Sequence, residues 1–348
     1  MTYIIKTKQA MICYYYQDGR LLKRIRNETG LSGEISVMSG VRPGFSLNLT
    51  DEGKVCIFCR DLRGNIIFLR DEKEGVKGKT ILESMENIIK GNILFDAHFG
   101  KEGIDLIFNA PLKDGFEGIY FQKLSKNKTA PVLLDEAKPL KGEAFRAVRA
   151  GGGLRLLFYY KAFGVSRGSR LGYRELLGER AGGFNTVFET GLNFEEYSML
   201  IRRERFYFAA VITSFFTSKL IFKTRGSEGF SDLKTAADMK GISSPLVFLF
   251  DRHPVIFFKC GGRAYICLED FKPQAFKGKI CEDLKRGVFI DKNGGRIKAD
   301  EVLVNAEKPW DAQIYPEMDD NFLSFHREKP MGDYRFKDFF DKKGSELL

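Results

Sequence analysis

The sequence has few of the residues on which catalytic and metal sites usually depend. Among 348 residues it contains one tryptophan, six cysteines and three histidines, which are His98, His253 and His326. No two of these histidines have the spacing of metal ligands, and none has an evident partner for general-base chemistry. No apolar run approaches the ~20 residues of a membrane-spanning helix. The sequence therefore predicts no metal, no cofactor and no membrane span.

The beginning of the chain also lacks the pattern of a secretion signal. Its apolar pieces are short and interrupted by lysine, and no small-residue cleavage site follows. We therefore expect a cytoplasmic protein with reduced cysteines in its core. Cys56 and Cys59 form a CxxC pair inside the strand-like run VCIFC. Odd spacing in a strand sends side chains to opposite faces, which favours packing over metal or redox chemistry.

Charge of one sign is in moderate excess. The chain has 56 basic and 46 acidic residues, which gives a net charge of +10. This excess is spread along the chain, so we interpret it as a solvated, mildly basic surface. It is compatible with weak association with nucleic acid, but nothing in the sequence indicates a nucleic-acid partner.

Phenylalanine and glycine are abundant, with 32 and 36 copies. Five phenylalanines stand 50 residues apart, and each ends an apolar triplet: Phe58, Phe108, Phe158, Phe208 and Phe258. Self-similarity at this period indicates one repeat architecture in place of several independent domains. A continuous apolar triplet is typical of a strand with both faces covered.

Further recurrences surround each triplet. Phe45, Phe95 and Phe145 are again 50 residues apart and mark a preceding inner strand. One strand-like run follows each triplet, and a shorter run with an acid near its end follows the first three. Four strands per ~50 residues is the unit of a β-propeller blade. The first residues, MICYYYQDGRLLKRIR, align as an earlier copy with Tyr15 at the repeated position. That gives six copies of the unit.

The chain resembles β-propeller repeat proteins over residues 2 to 305. The segment DEGKVCIFCRDLRGNIIFLRD from Asp51 is similar to the blades of uncharacterised bacterial propellers. The blades lack the closing Trp-Asp of Trp-Asp repeats, the double glycine of kelch repeats and the Asp box of sialidases. The resemblance implies an all-β propeller of six blades with four antiparallel strands each, with seven blades as the alternative. It transfers no active-site residue.

The repeats divide the chain into two parts. Residues 1–305 are predicted to form the propeller, and residues 306–348 a polar tail that is a short helix or disordered. The hairpin around the Asn293–Gly295 turn either closes the ring against the first blade or is a remnant of a seventh blade.

Two short motifs do not indicate a site. Gly164–Gly168 matches the nucleophile-elbow pattern GxSxG, but a strand-like run follows it where a helix is required. Asp291–Gly294 resembles the start of a calcium loop, but Val302 occupies the position of the closing glutamate. Neither supports catalysis or calcium binding.

Polar residues recur at one inner-strand position and form the first group of candidate ligand-binding residues. They are Ser46, Asp96, Arg146 and Glu196, and His98 lies two residues after Asp96. Such residues would face the central tunnel, where a ligand could use them. Contact with tunnel water or with one another is the plainer interpretation.

Loops form the second group of candidates. The connection between the second and third strands is predicted to be longer in blades three to five, and insertions in repeats often mark the binding face. These segments carry Lys113, Tyr160, Lys161, Arg167, Phe215 and Phe216. Aromatic and basic residues on adjacent loops suit a peptide, a glycan or an anionic partner.

Two hypotheses follow for function. The first is a non-catalytic interaction or scaffold propeller that binds a protein partner through these loops. The second is a carbohydrate-active or small-molecule enzyme at the tunnel mouth, with Asp96, Arg146 and Glu196 as acid, base and anion-binding groups. The absence of a catalytic constellation favours the first, and the second stays open.

Overall fold

The computed structural model describes residues 2–50, 52–72, 75–82, 94–100, 103–125, 129–151, 154–162, 168–202, 205–214, 216–250, 253–268, 272–276, 283–293 and 296–318. The helical part of these residues is the short 3-10 turn Lys113–Gly115. In the described ranges no helix has the length and apolar character needed to cross a membrane. The chain forms two compact units, Met1–Asn193 with Arg286–Asp300, and Phe194–Lys285 with the segment from Glu301.

Four sheets belong to the first unit. The first sheet contains β1 (Thr2–Lys6), β2 (Met11–Gln17), β3 (Arg20–Asn27), β4 (Gly30–Leu31) and β5 (Ile35–Ser39). The second contains β6 (Val41–Leu49), β7 (Val55–Asp61), β8 (Ile66–Glu72) and β9 (Gly75–Leu82). The third contains β10 (Phe95–Gly100), β11 (Gly103–Pro111), β12 (Glu117–Leu124) and β13 (Val132–Ala137). The fourth contains β14 (Arg146–Gly151), β15 (Leu154–Ala162), β16 (Ser169–Leu177) and β17 (Arg180–Thr190).

The remaining strands follow in chain order. The fifth sheet contains β18 (Asn193–Arg202), β19 (Arg205–Thr213), β20 (Ser218–Gly226), β21 (Gly229–Phe230) and β22 (Lys234–Met239). The sixth contains β23 (Ile242–Phe250), β24 (His253–Cys260), β25 (Arg263–Leu268) and β26 (Gln274–Ala275). The last strands are β27 (Leu284–Asn293), β28 (Arg296–Asn305), β29 (Ala312–Ile314) and β30 (Glu317–Met318). In the second, third and fourth sheets each strand pairs antiparallel with the next, as predicted.

The recurring phenylalanines occupy one repeated core position. Each lies in the second long strand of its sheet and is at most 4% exposed. In four sheets the residue directly opposite on the third strand is aromatic, with ring centroids 5.1–5.5 Å apart. The pairs are Phe58–Phe68, Phe108–Tyr120, Phe158–Tyr173 and Phe258–Tyr265. Such cross-strand aromatic pairs stabilise a sheet beyond the area that they bury.

The CxxC cysteines point in opposite directions, as the sequence predicts. Cys56 packs in the apolar cluster that contains Phe58, whereas Cys59 packs in the cluster that contains Ile57. Burial raises the pKa of the Cys59 thiol to about 12, so it stays protonated and inert. The described residues contain no cluster of histidine, cysteine and carboxylate side chains that could hold a metal.

The C-terminal strands join earlier sheets. In the first unit β27 runs parallel to β1, from the pair Tyr3–Val288 to the pair Lys6–Asp291. This pairing agrees with the interpretation that the hairpin closes against the first blade. In the second unit β29 pairs with β28 and β30 runs parallel to β23. Ordered strands therefore extend past residue 305, to Met318; residues 319–348 lie outside the described ranges.

Candidate ligand-binding site

The first strands of the second and third sheets are joined through their polar side chains. Ser46 Oγ donates to Asp96 Oδ1 at 3.2 Å and accepts from the Ala97 amide at 3.3 Å. The Asn48 side-chain amide donates to the Ala97 carbonyl. Ser46 and Asn48 are both buried, so these hydrogen bonds satisfy groups that water does not reach. Asp96 therefore takes part in holding one first strand to the next.

Asp96 also lies near a buried guanidinium. Arg155 is 1% exposed, and its Nη2 atom is 3.2 Å from Asp105 Oδ2 and its Nη1 atom 3.9 Å from Asp96 Oδ2. Burial raises the pKa of Asp105, and the positive charge of Arg155 opposes this shift without cancelling it. His98, which is half-buried, stands opposite Asp105 in the β10–β11 ladder. The structure thus gathers Asp96 and His98 around an ion pair between the third and fourth sheets.

The sequence prediction missed this pair, although the repeat contains the signal for it. Asp105 and Arg155 are 50 residues apart, and so are Ser46 and Asp96. In a repeat protein each unit contacts its neighbour, so opposite charges at equivalent positions of adjacent repeats are candidates for contact. The prediction used the apolar positions of the repeat and did not compare the charged positions beside them.

Arg146 has a separate ion-pair partner. Its Nε atom donates to Glu143 Oε2 at 2.6 Å, in the segment that leads into β14. Burial alone would raise the pKa of Glu143, but the charges of Arg146 and Arg286 outweigh it and lower the pKa below its usual value. Arg146 thus holds a nearby carboxylate in its ionised form.

Glu196 in the second unit receives a backbone amide. Both of its carboxylate oxygens lie 3.2 Å from the Ser244 nitrogen, which donates to them. Two residues further along, Ser198 Oγ accepts from the Val247 amide at 3.0 Å and donates to Glu301 Oε2 at 2.6 Å. Ser46 in the first unit and Glu196 and Ser198 in the second therefore each accept a backbone amide of a neighbouring strand.

Two of the predicted loop residues lie inside a strand. Tyr160 and Lys161 belong to β15, which continues to Ala162, so their assignment to a loop was wrong. Tyr160 is buried, and its hydroxyl is 3.0 Å from Ser169 Oγ. The error arose because the β15–β16 ladder continues to the pair Ala162–Ser169, which leaves only residues 163–168 for the connection.

Lys161 instead belongs to a charged cluster between the third and fourth sheets. Its Nζ atom is 2.6 Å from Asp135 Oδ1, and Arg174 Nη2 is 3.1 Å from Asp135 Oδ2. The Tyr159 hydroxyl donates to the same carboxylate at 2.5 Å. Burial tends to raise the pKa of Asp135, but the hydrogen bonds from Lys161 and Tyr159 prevail and lower it. The cluster joins two sheets through a fully paired carboxylate.

Of the other four loop candidates, the structure describes two. Lys113 is exposed in the 3-10 turn between β11 and β12. Phe216 is 87% exposed in the turn between β19 and β20. Arg167 and Phe215 lie outside the described residues. The connections are residues 112–116, 163–168 and 214–217, shorter than the sequence suggested because the flanking strands are long.

The Phe216 turn is held by several hydrogen bonds. The Ser214 amide donates to the Thr217 carbonyl at 2.9 Å, and Thr217 Oγ1 donates to Asp238 Oδ1. Thr213 Oγ1 donates to Glu195 Oε1 at 3.0 Å. Phe216 thus presents a large aromatic ring to solvent beside residues that are hydrogen-bonded to their neighbours.

Comparison with known proteins identifies the fold. No protein-family model matches the chain, and no curated protein matches it. A lectin from Burkholderia pseudomallei is similar with a TM-score of 0.57 at 10% sequence identity, over 88% of this chain and 92% of that one. A six-bladed β-propeller lectin from Aleuria aurantia gives a TM-score of 0.45 at 11% identity, over 79% of this chain and 93% of that one. This chain therefore has a β-propeller fold, with six blades each built on four antiparallel strands.

Proposed function

We propose that this protein is a non-catalytic binding propeller that holds a protein partner through Phe216. The observation that carries the proposal is the 87% exposure of this ring in the turn between β19 and β20. Aromatic side chains that enter a partner's pocket dominate many protein interfaces.

The polar first-strand residues support this choice over catalysis. Asp96 is hydrogen-bonded to Ser46 and Arg146 to Glu143, while Glu196 receives the Ser244 amide. A general acid or base has to meet a substrate within hydrogen-bond reach. The contacts described for these three residues are with other groups of the same protein. These contacts give no support to a catalytic role.

Capture with wild-type protein and a Phe216→Ala variant tests the proposal. Proteins from the source cells that remain bound to each immobilised form are quantified, and the dissociation constant of the most enriched one is then measured with purified components. Loss of a central aromatic contact commonly costs about 2 kcal/mol or more. We therefore expect Phe216→Ala to weaken that complex at least tenfold.

Leu62→Ala provides the matched control. Leu62 is 62% exposed in the turn between β7 and β8, the corresponding turn of the second sheet. Its replacement is expected to leave binding unchanged. If every captured protein binds Phe216→Ala as tightly as wild type, the proposal is wrong.

A carbohydrate ligand is the second candidate, because the structure with a TM-score of 0.57 is that of a lectin. A glycan array probed with the same labelled protein separates the two. The carbohydrate is favoured over the protein partner if the protein binds one sugar class, the free sugar competes for this binding, and Phe216→Ala retains it.

A further inference from the structure

The second sheet departs from the repeat at one buried position. Two residues after the recurring phenylalanine, the third, fourth, fifth and sixth sheets have an uncharged buried residue, namely Ala110, Tyr160, Ala210 and Cys260. The second sheet has Arg60 there, and Arg60 is 3% exposed. Because the other sheets form with uncharged residues at this position, the fold itself gives no reason for a guanidinium.

The Arg60 guanidinium has no partner among the residues that the structure describes. Its Nε atom is buried without a hydrogen-bond acceptor, and no described carboxylate forms an ion pair with it. The next residue, Asp61, accepts instead from the backbone amide and the side-chain amide of Asn65, at 2.9 and 2.7 Å. A buried charge normally has a partner, because its removal from water is costly. The position therefore lacks an anion.

The surroundings of Arg60 are an apolar wall and a second cation. Side chains two apart in a strand share a face, so Arg60 lies on the face of β7 that carries Cys56 and Phe58. These two residues pack with Ala110 and other apolar side chains of the third sheet. The second cation is Arg42, and burial and the charge of Arg42 both lower the pKa of Arg60.

A bulge in β6 brings Arg42 to this end of β7. Between two regular pairs of the β6–β7 ladder, residues 42–44 stand opposite Arg60 alone. Gly44 has a φ of +89°, which residues with a side chain rarely adopt. Arg42 Nη2 donates to the Leu62 carbonyl at 2.7 Å, in the turn that follows Arg60. The bulge therefore adds positive charge beside a guanidinium that already lacks a carboxylate.

We propose that Arg60 anchors a binding site for a small oxyanion, a phosphate or a carboxylate group. Two oxygens of such a group accept in parallel from the planar guanidinium, which is the arrangement that arginine favours. A residue as enclosed as Arg60 suits a free ion or the end of a narrow molecule. Arg60 belongs to the first unit and Phe216 to the second, so the site goes beyond the proposed protein-binding function.

Urea unfolding in sodium phosphate and in sodium chloride of equal ionic strength tests the site. An anion that binds only the folded protein raises the folded-to-unfolded ratio by the factor 1 + [L]/Kd, which is about elevenfold at ten times Kd. Arg60→Met keeps the apolar stem and removes the charge. We expect this variant to lose the specific response and to show only the general stabilising effect of phosphate, which is then subtracted from the wild-type response.

The same variant gives the opposite result in chloride. Arg60→Met is expected to have a higher denaturant midpoint than wild type there, because it removes a buried charge that has no partner. Phosphate should narrow or reverse this difference. The two variants of salt and protein therefore give a crossed pattern, which a purely structural role of Arg60 does not produce.

Calorimetric titration with inorganic phosphate, acetate and glycerol 3-phosphate measures the binding directly. Arg60→Lys is expected to bind phosphate about tenfold more weakly, because the charge is kept and one of the two parallel hydrogen bonds is lost. Inorganic phosphate that binds as tightly as glycerol 3-phosphate supports a free ion as the ligand. Tighter binding of glycerol 3-phosphate supports the terminal group of a larger molecule at the same guanidinium.

Arg63→Met is the matched control. Arg63 is exposed in the turn between β7 and β8, three residues after Arg60. Its replacement removes the same charge with the same new side chain, and we expect phosphate binding and stability as in wild type. Phe216→Ala is also expected to bind phosphate normally, which separates this proposal from the first.

Three outcomes overturn the proposal. The first is no binding of phosphate or acetate by wild-type protein in the titration. The second is an equal loss of the phosphate response in Arg60→Met and Arg63→Met, which indicates attraction to overall charge. The third is a lower midpoint of Arg60→Met than of wild type in chloride, which indicates that the guanidinium already has a partner within the protein.

Discussion

At the scale of single residues, buried charges connect neighbouring sheets of the first unit. Arg155 contacts carboxylates of the third sheet, and Asp135 of the third sheet accepts from Tyr159, Lys161 and Arg174 of the fourth. Removing one partner of such a cluster leaves the others unpaired and only partly in contact with water, which is costly. These residues therefore fix which sheets are neighbours as well as adding stability.

Asp135 gives a pH-dependent prediction. Its pKa is lowered in the folded protein. Its contribution to the free energy of unfolding is therefore present above the unfolded pKa of about 4, and it is lost as the pH falls through the folded pKa. Wild-type protein should lose stability on acidification in this range. Asp135→Asn should cost about 2 kcal/mol at neutral pH, the range of hydrogen bonds to a charged group, and flatten this part of the profile.

Urea unfolding as a function of pH measures both effects. Glu189→Gln is the control, because Glu189 is 55% exposed and pairs with the exposed Arg170. We expect it to change the free energy of unfolding by less than ~1 kcal/mol. Equal effects of the two substitutions would contradict the role assigned to Asp135.

Gly103 gives a prediction about the backbone. Its φ is +149°, and a Cβ atom there would lie 2.4 Å from the Leu124 carbonyl oxygen. Gly103→Ala should therefore destabilise the protein by roughly 2 kcal/mol or more. Gly183 has open space around its Cα and no such φ, so Gly183→Ala should be nearly neutral. Denaturant midpoints of both variants provide the comparison, and similar midpoints would refute the steric argument.

At the scale of elements, the last strands complete sheets that begin much earlier in the chain. Ile314 of β29 is 2% exposed and pairs with Leu303, and the Leu249 amide of β23 donates to the Pro316 carbonyl at 2.9 Å. The segment just after residue 305 therefore belongs to the packed part of the second unit.

Ile314→Ala tests this role for β29. Deleting a buried isoleucine side chain typically costs about 2–5 kcal/mol, so a clear fall in the denaturant midpoint is expected. Leu133, which is 46% exposed on β13, provides the comparison, and Leu133→Ala should have a much smaller effect. A midpoint for Ile314→Ala equal to that of wild type would mean that β29 contributes nothing to the fold.

At the scale of the whole molecule, the 50-residue period was enough to predict the blades. It worked because every blade places Phe58 or its equivalent in the same buried environment. It failed for Tyr160 and Lys161, because a polar residue at the outer end of a long strand looks like a loop residue. It also missed Asp105 and Arg155, since charge pairing depends on which strands are adjacent in space. Candidate sites are therefore harder to predict than core positions.

The parallel pair of β1 and β27 has a consequence for synthesis. Tyr3 is made 285 residues before its partner Val288 (288 − 3 = 285). Until that partner leaves the ribosome, one edge of β1 has unpaired backbone amides and carbonyls, which other strands can bind. Long-range pairing of this kind is also slow to form. The first sheet is thus begun long before it is completed, and in the meantime its open edge is exposed to the wrong pairings that chaperones prevent.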